Sequence, residues 1–406
     1  MRNSKKYHIN LSLKTSKLVY ISFLLFWGLN FIYFCFFSRS VLSFQEKQSL
    51  FLFSGEYLSA FLLKPGGLLE YAGKFLTQFY FYPVFGAIIL SAIISLTIIL
   101  CFKISEKLNS RPFIPFLMAP AALLLLLQSH YYHWMEYNLG FLLVLFFYKW
   151  AISPQKTSAK YLTLLFIPLF YYVAGVYLFF FLGVFVIHNL ILEKGKYRFT
   201  YSILAILLSL FTFAVFYKIL FLQPIQHYFL YPLPLVNVKN HKLLLAVLSG
   251  LIILLPLLFR LKIPSETQQA SIPVFLLPVT GLFAVTIFLL SQFYNPQTLR
   301  VLEMEHLVAE KKYTAAVRLH EESPSQNLIG QYFYNIALSE TNQLCERLFY
   351  GRQDFGVNAL LLPWSNEHLS WGAQFYYSAG LINEAHRWAY EEMVVYGKRP
   401  QNIELL

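Results

Sequence analysis

Aspartate is almost missing from this chain: Asp354 is the only one among 406 residues. That excludes metal sites built on paired aspartates, of the two-metal or nucleotide-sugar kind. Charge of either sign is scarce, at 13% of residues, against about 25% in soluble globular chains. Cysteine is scarce too. Cys35 and Cys101 lie in apolar runs and Cys345 in a polar one, a spacing that suits neither zinc nor a disulfide framework. They read as small buried apolar residues. There is no GxxxxGK[ST] phosphate loop and no GxSxG elbow. The apolar runs carry no carboxylate at their middles, which disfavours an ion-coupled transporter. No cofactor and no metal are expected.

What the chain does have is apolar and aromatic surface. Hydrophobic residues reach 57% and aromatics 19%, with 41 Phe and 29 Tyr, and the mean hydropathy is +0.54. Aromatic side chains fill membrane spans and sit at both interfaces, so this composition predicts a polytopic membrane protein. The net charge of +12 does not point to nucleic acid. The basic residues lie in short loops between apolar runs, where topology accounts for them.

The predicted fold class is all-α. Residues 1–17 form a basic amino terminus (Arg2, Lys5, Lys6, Lys14, Lys17). Residues 18–37 are uncharged and long enough to cross a bilayer, since about 20 apolar residues span the hydrocarbon core. They are followed by Ser38-Arg39-Ser40 and no small-x-small cleavage site, so they read as an uncleaved signal anchor. Further spans are predicted near 80–102, 113–128, 134–150, 161–174, 176–192, 199–221, 242–259 and 272–291, nine in all within a membrane domain covering 18–292. The run 161–192 is too long for one span, and Ala174-Gly175 is its expected turn. With the amino terminus inside, the inner loops hold 16 Lys and Arg residues and the outer ones seven. By the positive-inside rule this is an inner membrane protein with its carboxy-terminal part in the periplasm.

The outer segment 44–83 is too polar to span and too apolar for an ordinary loop. Leu68, Ala72, Phe75, Leu76 and Phe79 recur at helical spacing, and Lys64-Pro65-Gly66-Gly67 punctuates the segment. Two short helices lying in the membrane surface are expected, joined at Pro65-Gly66-Gly67.

After Tyr294-Asn295-Pro296 the composition changes: residues 297–406 hold nine of 32 basic and 13 of 20 acidic residues. This part reads as an outward-facing helical domain. Tyr376, Gly380 and Ala385 resemble the aromatic, small and small positions of a tetratricopeptide repeat, and Tyr313 and Ala316 the start of its second helix. Gly351, Gly356 and Pro363 interrupt the middle repeat. Pro400 is placed to start a helix close to Leu406, so a continuation of the chain or a capping partner is expected. The segments Gly66-Gly67-Leu68-Leu69-Glu70-Tyr71, Phe75 to Tyr80 and Gly380 to Ala385 resemble a family of polytopic inner-membrane proteins of unknown function from Bacteroidota. That resemblance implies a membrane location and no activity.

Four carboxylates face outward in the membrane part: Glu46, Glu56, Glu70 and Glu136. A first outer loop with interfacial helices and an acid is similar to membrane glycosyltransferases that use lipid-linked sugar donors. Glu56, and after it Glu46, are the catalytic candidates this similarity implies, as base or acceptor ligand. The paired acidic motif of those enzymes is absent. The bland alternative is a set of solvated acids beside Lys47, Lys64 and Lys74. His130, His133 and Glu136 diverge over about 120° of a helix, so metal ligation is not expected. Two functions remain from different classes: an envelope scaffold binding a periplasmic protein through helical repeats, and a transferase acting on a polyprenyl-linked substrate. In the second, Lys239-Asn240-His241-Lys242 would meet a lipid phosphate. Membrane lipid is a partner in both.

Overall fold

The computed structural model describes residues 4–110, 113–154, 157–193, 195, 197–220, 225–233, 238–260 and 272–406. Arg2, Arg111, Lys156, Lys194, Lys196 and Lys262, which contribute to the inner-loop charge, and Gln223, Pro224 and Pro234 of an outer loop, lie outside the described residues. Helices and turns account for the described secondary structure, with no strand among them. The chain divides into two compact units. The first holds residues up to Cys35, Phe51–Thr77 and Val84–Phe293; the second holds Phe36–Leu50, Gln78–Pro83 and Tyr294–Leu406.

In the first unit, α1 (Ser4–Ile32) runs into a π-helical turn at Tyr33–Phe37, the point where the chain passes to the second unit. The second unit then takes α2 (Arg39–Lys47). Back in the first unit come α3 (Gly55–Leu62), α4 (Gly67–Thr77), α5 (Pro83–Lys107), α6 (Ile114–Gln128) and α7 (Met135–Ala151). They are followed by α8 (Thr157–Leu164), α9 (Ile167–Ala174), α10 (Tyr177–Ile191), α11 (Arg198–Val215), α12 (Ile225–Leu230), α13 (Lys239–Arg260) and α14 (Ile272–Phe293). Helix α10 is central, packed on α7, α11 and α13, while α6 packs on α13 and α14. The long helices are apolar all round. On α13, Leu244, Leu248, Ile252 and Leu255 are buried, while Leu243, Val247 and Leu254 are exposed. On α11, Leu207, Leu210 and Phe211 are exposed. A helix that stays apolar on its exposed face fits a lipid surround.

Nine spans are not what forms. Four helices are long and apolar enough to cross a membrane: Lys17–Phe37, Pro83–Lys107, Arg198–Leu220 and Lys239–Arg260. A fifth, Leu277–Phe293, qualifies only when counted with the helix after it. The expected spans at 113–128, 134–150 and 176–192 are helices of 15, 17 and 15 residues, and the one at 161–174 is broken into α8 and α9. The reason is that an apolar run measures burial, and burial in a packed unit looks the same as burial in lipid. Leu124, Leu125 and Leu127 of α6 are fully buried in protein. The turn expected at Ala174-Gly175 does form: α9 ends at Ala174 and Gly175 takes φ +59.

The two short helices expected within 44–83 form as α3 and α4, joined at Leu63–Gly66. The buried face of α4 differs from the expected stripe. Leu69, Gly73 and Thr77 are buried, whereas Leu68, Ala72, Phe75 and Leu76 are half-exposed and Phe79 is exposed. Helix α4 packs on α7, and Gly73 lets Glu136 come close. A Cβ at residue 73 would stand 2.8 Å from the Glu136 side chain. The half-exposed apolar stripe on the other face suits a membrane surface.

The second unit continues with α15 (Pro296–Ala309), α16 (Tyr313–Glu322), α17 (Leu328–Glu340), α18 (Leu344–Arg347), α19 (Leu369–Ser378), α20 (Ile382–Tyr396) and α21 (Pro400–Ile403). Asn295 caps α15 by accepting from the amides of Gln297 and Thr298 at 3.0 and 3.2 Å. Because α15 carries Arg300, Glu303, Glu305 and His306, the apolar stretch ends at Phe293. Two helical hairpins form, α15 with α16 and α19 with α20, the second turning at Gly380 with φ +73. Between them lie α17 and an irregular stretch, so a regular stack of repeats is not what links them. The side chains of α17 hold that stretch: Gln331 donates to Asp354 and accepts from its amide at 3.0 and 2.8 Å. Asn335 donates to the carbonyl of Ala359 at 2.9 Å. The core gathers Met304, Val308, Ala316, Val317, Tyr332, Phe333 and Ala337.

Two outcomes follow. With the amino terminus inside, five crossings put Tyr294 onward on the opposite side and four put it on the same side. An alkaline phosphatase fused after Gln292 is expected to be active; an inactive enzyme, with a cytoplasmic fluorescent reporter active in its place, would show that α14 does not cross. Ala385 is 1% exposed within the second hairpin. Ala385→Trp overpacks it and is expected to destabilise the unit by about 1–3 kcal/mol. The check is hydrogen exchange of α19 and α20 amides, which an exposed residue 385 would leave unchanged.

Candidate functional site

The second unit contains a partly open cavity of about 330 Å³, near the lower end of the range for ligand pockets. Three separate stretches of chain wall it. Helix α2 supplies Ser43, Glu46 and Lys47, the turn at Gln78–Phe81 supplies Tyr80 and Phe81, and the carboxy-terminal helices supply the rest. Those include Glu305 and His306 from α15, Phe333 from α17, Trp371 and Gln374 from α19, Glu392 from α20, and Gln401 and Glu404 at the end. Helix α2 reaches this place because Ser40, Val41, Leu42, Ser43 and Gln45 make a buried face, which packs on α15. Lys47 lies in its last turn, where a cation suits the helix dipole.

Charges inside the cavity are of two sorts. Some are matched. Glu392, 2% exposed, accepts from Gln401 Nε2 at 2.8 Å and lies 3.5 Å from Arg399 Nη1. Glu310 pairs with Lys312 at 2.6 Å and with His306 at 3.4 Å. Others are not. The Lys47 Nζ is buried with no hydrogen-bond partner. Glu305 is 6% exposed, and one of its carboxyl oxygens is likewise without a partner. The Trp371 indole N–H approaches Glu305 without a hydrogen bond of full geometry.

Burial sets the protonation of these groups. It pushes the Glu305 carboxyl up to about 7, with Glu392 adding to the effect and Lys47 and Trp371 opposing it. Burial also raises Glu46, against the pull of Lys47, and raises Glu392 against Gln401 and Arg399. It lowers Lys47, and Glu305, Glu46, Glu310 and Glu404 draw it back up. The arrangement is a lysine ammonium and several carboxyl groups around one space, with an aromatic lining from Tyr80, Phe81, Phe333 and Trp371. It can hold a polar ligand or exchange a proton near neutral pH.

Of the two carboxylates singled out by sequence, Glu46 is half-buried on the cavity wall. Its neighbours Gln45 and Lys47 make it look solvated in sequence; both belong to a packed helix end. Glu56 lies in the first turn of α3, exposed, in the other unit. The structure does not bring the two together in one unit. Glu305, Glu392 and Trp371 carry no motif spacing and were not legible as site residues. One signal was available: two acids, Glu303 and Glu305, on a helix that otherwise reads as core, with a third, Glu310, at its C-cap.

Glu70 and Glu136, in the first unit, are structural in their contacts. Glu70 pairs with Lys64 at 2.6 Å and Lys74 at 3.4 Å. His133 meets His241 at 3.0 Å, while His130 stacks on Tyr132. His241 is buried and Lys239 and Lys242 are exposed. Among the described residues no three His, Cys, Asp or Glu side chains converge as metal ligands do. A more open hollow of about 450 Å³ lies between Val357, Leu361, Trp364, Arg387 and Trp388. Its one cationic group, Arg387, is already paired with Glu384 and Glu391.

A family model matches residues 14–406, nearly the whole chain. The chain belongs to DUF6057, a family of unknown function. No curated protein and no solved structure gives a significant match. The cavity residues all fall within the matched range.

A pH dependence follows from Glu305. Its carboxyl is raised in the folded chain, so the fold holds the proton more tightly than the unfolded chain does. Stability contributed this way is full below about 4.5 and is lost as pH rises through about 7. Glu46, Glu303 and Glu392 shift in the same direction. His306 and Glu310 are both lowered and work in the opposite sense. Glu305→Gln isolates one group. In the full chain in detergent, hydrogen exchange of α17 amides is expected to show the variant gaining on the wild type from pH 5 to 8, by up to ~3 kcal/mol. A difference that does not change with pH would mean that Glu305 ionises as an exposed acid does.

Proposed function

We propose that this protein is a cell-envelope scaffold or assembly component of the inner membrane. In this reading the amino terminus is cytoplasmic, the second unit is periplasmic, and that unit holds a partner by a group bound in the Lys47–Glu305 cavity. One observation carries the reading: Lys47 and Glu305, each with a buried polar atom that has no hydrogen-bond partner, line the same small cavity. Leaving a buried charge unmet costs several kcal/mol, and a ligand that completes the contacts recovers it. The helical hairpins supply the rigid walls that such a site needs.

A transferase using a polyprenyl-linked donor is the second reading. It is favoured by Glu46 on the cavity wall and by Glu305, whose carboxyl near 7 suits a general acid or base. On that reading the working acids are Glu46 and Glu305, and Glu56 is dispensable.

Filling the cavity tests both. Gln374 lines it and is half-buried, so Gln374→Trp occupies the space without removing a charge. In a deletion strain it is expected to be made at normal abundance and to fail to complement, while Glu56→Gln complements. Full complementation by Gln374→Trp would sink both readings. Glu46→Gln then separates them, since loss of a general base costs about 10²–10⁴ in rate and loss of one binding contact far less.

A further inference from the structure

The lining of the Lys47–Glu305 cavity specifies more than polarity. With the Glu392–Arg399 and Glu310–Lys312 pairs set aside, the ionisable groups left around it, besides the Tyr80 phenol, are Lys47, His306 and three carboxyl groups, Glu46, Glu305 and Glu404. His306 already lies against Glu310. A plain anion would satisfy Lys47 and face the carboxyl groups. A plain amine would satisfy the acids and leave Lys47 unmet. Buried groups of both kinds need a ligand with a donor cation and an acceptor oxygen held close together. The cavity, at about 330 Å³, is small, and its aromatic walls leave room for a short apolar side chain.

We propose, resting on the reading of this cavity as the binding site, that it takes an α-amino group together with its neighbouring carbonyl or carboxylate oxygen. The ammonium is received by Glu305 and Glu46 and the oxygen by Lys47. The ligand is a free amino acid or the first residue of a peptide. Trp371 bears on the same end, since its indole N–H approaches Glu305 and its ring lines the space. Gln401 holds the far wall in place by donating to Glu392 at 2.8 Å and to the Ser370 carbonyl at 3.1 Å, and by accepting from Gln48 at 3.1 Å. The wall from α2 is thereby tied to the wall from the chain's last helices, and the ammonium-binding and oxygen-binding sides keep a fixed spacing.

The test uses the full chain in detergent and ligand-observed saturation-transfer NMR. The probes are alanine, alanyl-alanine, N-acetyl-alanyl-alanine, putrescine and acetate. Alanyl-alanine is expected to bind and its N-acetyl form to lose at least about tenfold, the scale of one charged hydrogen bond. Putrescine and acetate, each holding one half of the recognised pair, are expected to bind as weakly as the acetylated peptide. Alanine binding as well as alanyl-alanine assigns a free amino acid; binding by the dipeptide alone assigns a peptide end. Lys47→Met and Glu305→Gln keep side-chain size, and each is expected to weaken alanyl-alanine about tenfold or more, with hydrogen exchange of α17 confirming an intact fold. Equal binding of the acetylated peptide, binding of putrescine or acetate as strong as that of alanyl-alanine, or no binding of any probe overturns the proposal. The acetylation arm needs no variant, so a misfolded mutant cannot decide it. If Gln374→Trp abolishes complementation while no probe binds, the cavity remains the site and only its ligand class falls.

Discussion

The costliest constraint in the second unit is that the ammonium of Lys47 is withdrawn from water. Removing an ion from water costs several kcal/mol even after relaxation, and this one has no hydrogen-bond partner to offset it. What makes the burial tolerable is the field of four carboxyl groups, Glu305, Glu46, Glu310 and Glu404. Those residues come from α2, α15 and the chain's end, so Lys47 is near them only when all three are assembled. The same crowding presses on the acids, which is why Glu305 is moved to about 7. An apolar residue at position 47 would relieve the lysine and would leave a set of like charges facing one another. Charge and fold are thus coupled in this unit, and the coupling is concentrated around one cavity.

That arrangement also explains the route of the chain. A signal-anchor helix followed directly by a soluble domain would leave α2 as a linker. Here the chain leaves the first unit at Phe36, contributes α2 and later the turn at Gln78–Phe81, and returns each time. The excursions contribute buried residues with small or polar side chains, such as Ser38, Ser40, Ser43 and Gln45, which an apolarity scan does not pick up. These two excursions lie more than 200 residues before Tyr294, so no local pattern ties them to the helices of residues 294–406.

Much of the local structure was legible. The break at Asn295-Pro296 is where a proline must stop one helix and an asparagine can cap the next. The turn at Gly175 and the join before Gly67 rest on backbone freedom that glycine alone supplies cheaply. What was not legible was the difference between burial in lipid and burial in protein. Helix α6 is among the most apolar stretches in the chain, yet it is 15 residues long and its leucines are covered by neighbours. The stripe on α4 misled for a related reason: its protein-facing side is built on Gly73, which has no side chain to score, and its apolar side is the one left half-exposed. The repeat-like spacing around Gly380 and Ala385 did mark a hairpin. A hairpin is a local object, and its extension to a stack needed a middle pair that Gly351, Gly356 and Pro363 replace with irregular chain.

The lone aspartate completes the contrast between a residue that looks chemical and one that is. Asp354 is exposed, and its carboxylate and amide are both taken by Gln331, so its work is to pin the irregular stretch to α17. Glu305 has the opposite character. Only the neighbouring acids Glu303 and Glu310 mark it in sequence, and it sits buried in the middle of α15. A carboxyl group kept there loses its solvation and leaves an oxygen unsatisfied, a cost that its attraction for Lys47 offsets only in part. Glu305 lines the same cavity as Lys47, so the cost of burying the carboxyl and the cost of burying the ammonium fall at one place in the unit and moderate each other.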